Sequence, residues 1–291
     1  MRTGLLDYGT LYCRILKLIT TAKDELVAIT PYRVFFLKRG DSAWEYNKDR
    51  PTFFESAARR GPSLLAMGFN SGSCGELIDS NHTWRTLPLG LPVKVLKKSF
   101  AVSTRGFLLV GSYMQGVYRS TDLGRTWFQT NEGLINTYIL SLFSASQGKT
   151  LYAGTLFGGL YVSEDEGGTW SKIGLATRPV VAVASRGPYI FAALAPSPLL
   201  YKPASDFVRS DDGGKSWSSL SPGLDKSVPT FMTLGKKNDI FLGTRGHGAF
   251  FSPDNGEQWE QRNKGLPDSI INGISIRGDG AVVIATPKGV F

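Results

Sequence analysis

The sequence predicts an all-β fold, a seven-bladed β-propeller, from three observations. All six tryptophans fall on one position of a repeat, at Trp44, Trp84, Trp127, Trp170, Trp217 and Trp259, spaced 40, 43, 43, 47 and 42 residues apart. Short runs of β-branched and aromatic residues alternate with polar ones and end in Gly, Asn or Asp, the pattern of strands and tight turns. No segment carries the 3.6-residue apolar period of an amphipathic helix. A four-stranded sheet this short cannot stand alone, but packing such sheets in a ring buries both faces of each. A chain of 291 residues holds seven repeats of about 42 residues.

The elements follow in chain order. The plainest unit is blade four, where Ile139–Phe143 reads as a first strand, Leu151–Gly154 as a second and Leu160–Ser163 as a third, with the fourth starting at Trp170. A decayed copy, "FFLKRGDSAW", ends at Trp44, and "ELIDSNHTW" ends at Trp84 and keeps Asp79 five places before it. "VYRSTDLGRTW", "LYVSEDEGGTW", "FVRSDDGGKSW" and "AFFSPDNGEQW" end at Trp127, Trp170, Trp217 and Trp259. The C-terminal "GDGAVVIATPKGVF" stops at the beginning of a third strand, while Gly9-Thr10-Leu11 lines up with Gly168-Thr169-Trp170. Residues 1–291 therefore read as one domain of four-stranded antiparallel blades. The N-terminal strand, in residues 1–14, is expected to join the C-terminal blade in 266–291, which closes the ring and removes its free edges.

The pattern Ser-x-Asp-x-Gly-x-Thr-Trp at 120–127, 163–170, 210–217 and 252–259 resembles the Asp-box, or bacterial neuraminidase repeat (BNR), and the resemblance spans nearly the whole chain. It implies a sialidase-like propeller, of the same general plan as WD40 and YVTN propellers, with the box on the turn between third and fourth strands. It does not imply an activity, because Asp-box propellers include sialidases, xyloglucanases, sortilin-like receptors and photosystem II assembly factors. Asp79, Asp122, Asp165, Asp212 and Asp254 are placed to accept backbone N–H bonds inside their turns. Trp84, Trp127, Trp170, Trp217 and Trp259 are expected to bury their indoles between blades. Repetition around a ring makes the box structural rather than catalytic.

Ligand sites on this architecture are expected on the other face, at the mouth of the central channel, an expectation from fold analogy. There the loops between second and third strands supply Tyr32, Arg33, Asn70, Tyr113, Gln115, Phe157, Arg245 and His247, and the connections between blades add Tyr138 and Arg178. Aromatic rings beside Arg and His suit a protein segment, a carbohydrate or an anionic small molecule.

Enzyme readings find less support. Sialidases need an arginine triad, a Tyr–Glu pair, an Asp and an early Phe-Arg-Ile-Pro, whereas the nearest stretch here is Ala-Thr-Arg-Pro-Val at 176–180. A glycoside hydrolase needs two facing carboxylates, for which Glu55, Glu132, Asp225 and Asp268 are available and Glu55 is the leading proton donor. The two histidines, His82 and His247, form no zinc spacing, and no Gly-rich loop precedes a helix. No metal and no cofactor is expected.

Charge points to a surface. Of a net charge of +9, +7 falls in residues 1–106, so blades one and two form a basic sector suited to an acidic partner surface. Turns between first and second strands are expected to carry Arg59, Arg60, Lys97, Lys98, Lys149, Arg186, Lys236, Lys237 and Arg277 as a basic rim. Nucleic acid is disfavoured as a partner, since no stacking aromatics interleave with these cations. No apolar run is long enough for a membrane span, Asp7, Arg14 and Lys17 break any signal-peptide pattern at the start, and Cys13 and Cys74 read as free thiols that leave the compartment open. The sequence thus reads as a non-catalytic binding or assembly propeller that grips a protein or glycan at the channel mouth or through its basic surface. The alternative is an enzyme acting on a carbohydrate or other small molecule at that mouth.

Overall fold

The computed structural model describes residues 15–30, 33–41, 43–46, 54, 56–68, 74–77, 82–88, 90–92, 95, 97–145, 149–196, 205–220 and 228–291. They form strands and turns with no helix. Blade 1 holds β1 (Lys17–Thr20), β2 (Leu26–Ile29), β3 (Val34–Leu37) and β4 (Glu45–Tyr46), and blade 2 holds β5 (Ser56–Arg60), β6 (Ser63–Met67), β7 (Cys74–Leu77) and β8 (Trp84–Leu87). Blade 3 comprises β9 (Lys97–Val102), β10 (Leu108–Ser112), β11 (Gly116–Ser120) and β12 (Phe128–Gln129), and blade 4 β13 (Ile139–Ser144), β14 (Leu151–Thr155), β15 (Leu160–Ser163) and β16 (Ser171–Gly174). Blade 5 runs through β17 (Val180–Arg186), β18 (Tyr189–Leu194), β19 (Asp206–Ser210) and β20 (Ser218–Ser219). Blade 6 is β21 (Val228–Leu234), β22 (Ile240–Arg245), β23 (Ala249–Ser252) and β24 (Glu260–Gln261), and blade 7 shows β25 (Gly273–Ile276), β26 (Val282–Thr286) and β27 (Gly289–Val290). Each sheet is an antiparallel meander in sequence order. The expected strand from residues 1–14 lies outside the described residues.

The first strands face the axis. β1 packs on β5, β5 on β9, and so on through β13, β17 and β21 to β25, which returns to β1. The chain is a seven-bladed β-propeller.

Alternation explains how one sheet serves two neighbours. In β10, Leu108 and Val110 enter a cluster with Leu65 and Met67 of blade 2, while Leu109, on the other face, joins Ile139, Leu151 and Tyr161 of blade 4. In β18, Ile190, Ala192 and Leu194 face blade 4, and Phe191 and Ala193 face blade 6. The described residues contain seven such clusters, one at every blade junction, including the closing junction where Ile15, Leu18 and Phe35 meet Ala285 and Val290. Each tryptophan packs toward the preceding blade: Trp84 lies 5.0 Å from Phe54, and Trp259 meets Phe207 of blade 5 edge-on at 5.1 Å. Trp170 is 3% exposed and donates its indole N–H to the Thr130 carbonyl across the blade 3–4 junction.

Close approach demands glycine at the end of several second strands. A Cβ on Gly154 would overlap Ser141 Oγ and the Val180 carbonyl of the next blade, and one on Gly111 would overlap Ile139. First strands bulge at the same level, between Ile139 and Ser141, Val180 and Ala182, and Pro229 and Phe231. Such bulges re-aim side chains, and here Ser141 donates to the Val180 carbonyl at 3.0 Å and Thr230 to the Ile271 carbonyl at 2.6 Å, each across a junction. Cys74 is buried in the blade 2–3 core as a free thiol, and burial pushes its pKa up to about 12.

Replacing Trp170 with alanine removes a buried aromatic and a junction hydrogen bond. The expected loss is about 3–5 kcal/mol, measured by urea unfolding. A loss near zero would show that the indole does not hold the blades together.

Candidate functional site

The repeated Ser-x-Asp-x-Gly turns lie between third and fourth strands and use up their own polar groups. Ser163 Oγ donates to Asp165 Oδ1 at 2.7 Å and accepts from the Gly167 N–H at 2.8 Å, while Asp165 accepts from the N–H groups of Gly168 and Thr169 and the Thr169 hydroxyl. The same geometry recurs at Ser120–Asp122, Ser210–Asp212 and Ser252–Asp254. These bonds favour the carboxylate. The Thr126 hydroxyl and N–H bring Asp122 down to about 2, and the Ser216 hydroxyl and N–H lower Asp212. For Asp165, partial burial works upward and is outweighed by the Thr169 N–H and its companions. Asp79 lies outside the described residues. The indoles of Trp127 and Trp217 donate to the carbonyls of Gly124 and Gly214 within their own turns.

In two of the turns the residue after the Asp reaches the preceding blade. Glu166, at φ 64° and 2% exposed, accepts from the Thr104 hydroxyl at 2.8 Å. Burial would raise its pKa, but the donors on Ser103, Thr104 and Arg105 hold it low. Asn255, at φ 58°, accepts from Arg186, and Arg209 donates to its carbonyl.

These contacts change the reading of the basic rim. Arg186 also donates to the carbonyls of Gly235 and Asp239, Lys236 to that of Gly278, and Arg60 pairs with buried Glu76 at 2.7 Å. Burial pushes Glu76 up, yet Arg85 and Arg60 outweigh it and keep its pKa below the usual value. Lys97 and Lys98 open β9, so they stand at the far end of blade 3, and Arg105 occupies the turn instead. The sequence pattern misplaced them because "KVLKKSF" looks like a turn, whereas the turn is the Ser103–Phe107 hairpin closed by Ser103.

The opposite face carries the loops between second and third strands. A hydroxyl at the strand end shapes each of several: Ser112, Thr155 and Thr244 donate to the carbonyls of Gly116, Gly159 and Gly248. Asn131 and Asn263 brace two of these loops from the blade-end connections, donating to the carbonyls of Gln115 and His247 and accepting from Val117 and Ala249. On this frame three expected residues converge. Tyr113 and Tyr138 form a β-bridge with rings 5.0 Å apart and edge-to-face, and Tyr138 meets Phe157 at 5.8 Å. The Tyr113 loop and the connection leading to Tyr138 also carry two exposed apolar residues that sequence reasoning missed, Met114 at 55% and Ile135 at 84% exposure. In "EGLINTY" the pair Leu134–Ile135 divides, with Leu134 against the core and Ile135 turned to solvent.

The other candidates are dispersed. Arg245 and His247 are exposed on blade 6, two blades beyond the aromatic group. Arg33 stacks on Tyr46 of the outermost strand at 4.4 Å. Gln115 shares the Tyr113 loop, where its backbone carbonyl is held by Asn131, and Arg178 closes a turn on the Leu175 carbonyl. Tyr32, Asn70, Glu55 and Asp225 lie outside the described residues, as does Cys13. Glu132 is exposed, and Asp268 accepts the Ile270 N–H at 2.9 Å. His82 is not a ligand candidate but a core residue, stacked on Phe36 at 3.7 Å and hydrogen-bonded to Glu25 at 2.6 Å. Among the described residues no cluster of three His, Cys, Asp or Glu side chains could hold a metal ion, and no helix is long and apolar enough to cross a membrane.

No family model matches the sequence, and no curated protein matches it. Solved structures share its fold. The extracellular domain of the putative one component system BT4673 from B. thetaiotaomicron superposes with a TM-score of 0.74 at 13% identity over 97% of this chain. This chain spans 38% of that domain's length. The GH74 xyloglucanase from Xanthomonas campestris gives 0.73 at 15% identity, over 95% of this chain and 51% of the enzyme. YCF48 bound to D1 peptide gives 0.72 at 16% identity, covering 98% of this chain and 94% of that one. Both a peptide-bound protein and an enzyme are thus built on this ring, and the likeness is one of fold.

The carboxylates of the repeat turns make a pH prediction. Asp122 titrates near 2 when folded, against about 3.9 in an unfolded chain, so its contribution is full above pH 4 and is lost as pH falls through 2. Urea unfolding between these limits will show stability falling with acid in the wild type and a flatter profile in Asp122→Asn. Identical slopes would remove the turn's role.

Proposed function

We propose that the protein is a non-catalytic docking propeller of the Asp-box group that binds an extended, apolar-rich protein segment at the channel mouth over blades 3 and 4. The observation that carries this reading is the group of Tyr113, Met114, Ile135, Tyr138 and Phe157. Met114 and Ile135 are exposed and the three rings half-buried on braced loops, an apolar surface that is costly for a protein that binds nothing, and rigid aromatics are the residues that anchor partners. The loop hydroxyls and Asn131 hold the group in place before binding, which lowers the ordering cost. That YCF48, of the same fold and nearly the same length, was solved with a peptide supports the reading by analogy. Arg178, on the connection from blade 4 to blade 5, and Gln115 would supply polar contacts at the edge.

The alternative is an enzyme acting on a carbohydrate or other small molecule at the mouth, with Glu55 or another acid as proton donor. Of its described candidates, Glu132 is exposed and the Asp268 carboxylate is engaged by the Ile270 N–H, so neither forms the facing pair that glycoside hydrolysis requires.

The test is selection of random displayed peptides on the wild-type protein, followed by titration of the winners against a Tyr113→Ala/Phe157→Ala variant. Selected peptides should be rich in apolar residues and bind the variant about thirtyfold more weakly, the loss of an anchor worth on the order of 2 kcal/mol. The melting temperature should hardly move, because both rings are partly exposed. Equal binding to both proteins would refute the site.

A further inference from the structure

A second feature lies inside the ring, apart from the mouth. A cavity of about 380 Å³ is lined by the first strands of four consecutive blades: Lys17 from β1, Ala57–Arg59 from β5, Phe100–Val102 from β9 and Leu142–Ser144 from β13. Gly61, Ser103, Thr104 and Ala145 place its opening at the turns between first and second strands. Lys17 opens β1 at the other end of its strand, so the cavity runs down the channel.

Its chemistry is one-sided. Lys17 and Arg59 are cationic, Ser144 brings a hydroxyl, the Ser103 and Thr104 hydroxyls are engaged by Glu166 behind the wall, and the rest is mostly Ala, Val, Leu and Phe, with no carboxylate among the described lining residues. The Lys17 ammonium sits 5.2 Å from the centre of the Phe231 ring, on blade 6, and makes no ion pair or hydrogen bond among the described residues. Burial holds its pKa below the ordinary lysine value. Buried carboxylates are matched: Glu76 by Arg60 and Arg85, and Glu166 by Thr104 and Arg105. Lys17 is half-buried in the cavity wall, and an anion entering the channel would supply the counter-charge that it lacks among the described residues.

We propose that the central channel is a binding site for a small amphipathic anion, an aryl or alkyl carboxylate or phosphate, with its charge on Lys17 and Arg59 and its apolar part on Phe100, Leu142 and Phe143. The volume lies within the range of small-molecule sites, about 300–1,000 Å³. Cations and an apolar wall in one cavity fit an acidic head joined to an apolar body. This site is independent of the docking surface over blades 3 and 4.

Isothermal titration with phenyl phosphate, benzyl alcohol and inorganic phosphate tests it on the full chain. Phenyl phosphate should bind, and benzyl alcohol and inorganic phosphate should each bind at least about tenfold more weakly. Lys17→Met should weaken phenyl phosphate by about tenfold or more, the scale of a charged hydrogen bond, while leaving the ligand-free melting temperature unchanged or raised, since a half-buried cation without a counter-charge is gone. Arg59→Gln, at an exposed position, should weaken phenyl phosphate similarly and decides the matter if Lys17→Met does not fold. No binding of phenyl phosphate, equal binding of benzyl alcohol, or unchanged affinity in these variants would overturn the proposal, and Tyr113→Ala should leave the titration untouched.

Discussion

The interaction on which everything else depends is the two-sided burial of each blade. A strand's side chains alternate, so a sheet standing on edge can fill the core on its left and on its right with successive residues. β10 and β18 show this directly, sending Leu108 and Leu109, or Ile190 and Phe191, into different junctions. A stack of such sheets ends with two bare faces unless it closes. The junction of Ile15, Leu18 and Phe35 with Ala285 and Val290 removes both at once. Closure also explains the glycines that end second strands, because a ring of fixed size forces first strands of adjacent blades within a side chain's width of them.

Polar contacts then fix the angle at which the blades meet. On the face of the repeat turns, the residue after each Asp adopts a left-handed conformation and delivers Glu166 or Asn255 to the neighbouring blade. Arg186, Arg209 and Lys236 answer from the other side, mostly through backbone carbonyls. Along the channel, Thr20 meets Ser275 at 2.6 Å and Asp24 receives the Gly278 N–H, tying blade 1 to blade 7. Much of the basic character of this face is therefore occupied in holding the ring, which leaves less of it for an acidic partner than net charge suggests.

The fold was legible because its signal is periodic and redundant. Six tryptophans at one position, four near-identical turns and the two-residue alternation all point to the same answer, and the strands of blade 4 lie within a residue of where alternation puts them. The fourth strands are shorter than expected, two residues in blades 1, 3, 5 and 6, and mostly begin after the tryptophan rather than at it. The indole turns inward to the junction, and the chain resumes pairing only beyond it. The candidate site was legible by face but not by cluster. Loop position identified Tyr113, Tyr138 and Phe157, yet nothing in one dimension says that they touch, while Met114 and Ile135 resemble the apolar residues around them. Lys17 was invisible as a site residue, because a lysine opening a strand reads as a solvated end. Only the ring turns that position inward.

The two ends of the channel are unlike for a physical reason. At the repeat-turn face, serine and aspartate oxygens are consumed by their own turns, so that face contributes rigidity and leaves the channel opening to whatever the first strands present. At the other face, the hydroxyls of Ser112, Thr155 and Thr244 and the amides of Asn131 and Asn263 satisfy the loop backbone, so the outward side chains are not needed for that task. A position freed from duty in this way can vary in character from blade to blade at little cost to the fold. Aromatic rings concentrate on blades 3 and 4, whereas Arg245 and His247 stand on blade 6. Recognition on a ring of similar blades requires such a break in symmetry, and the site proposed over blades 3 and 4 is one.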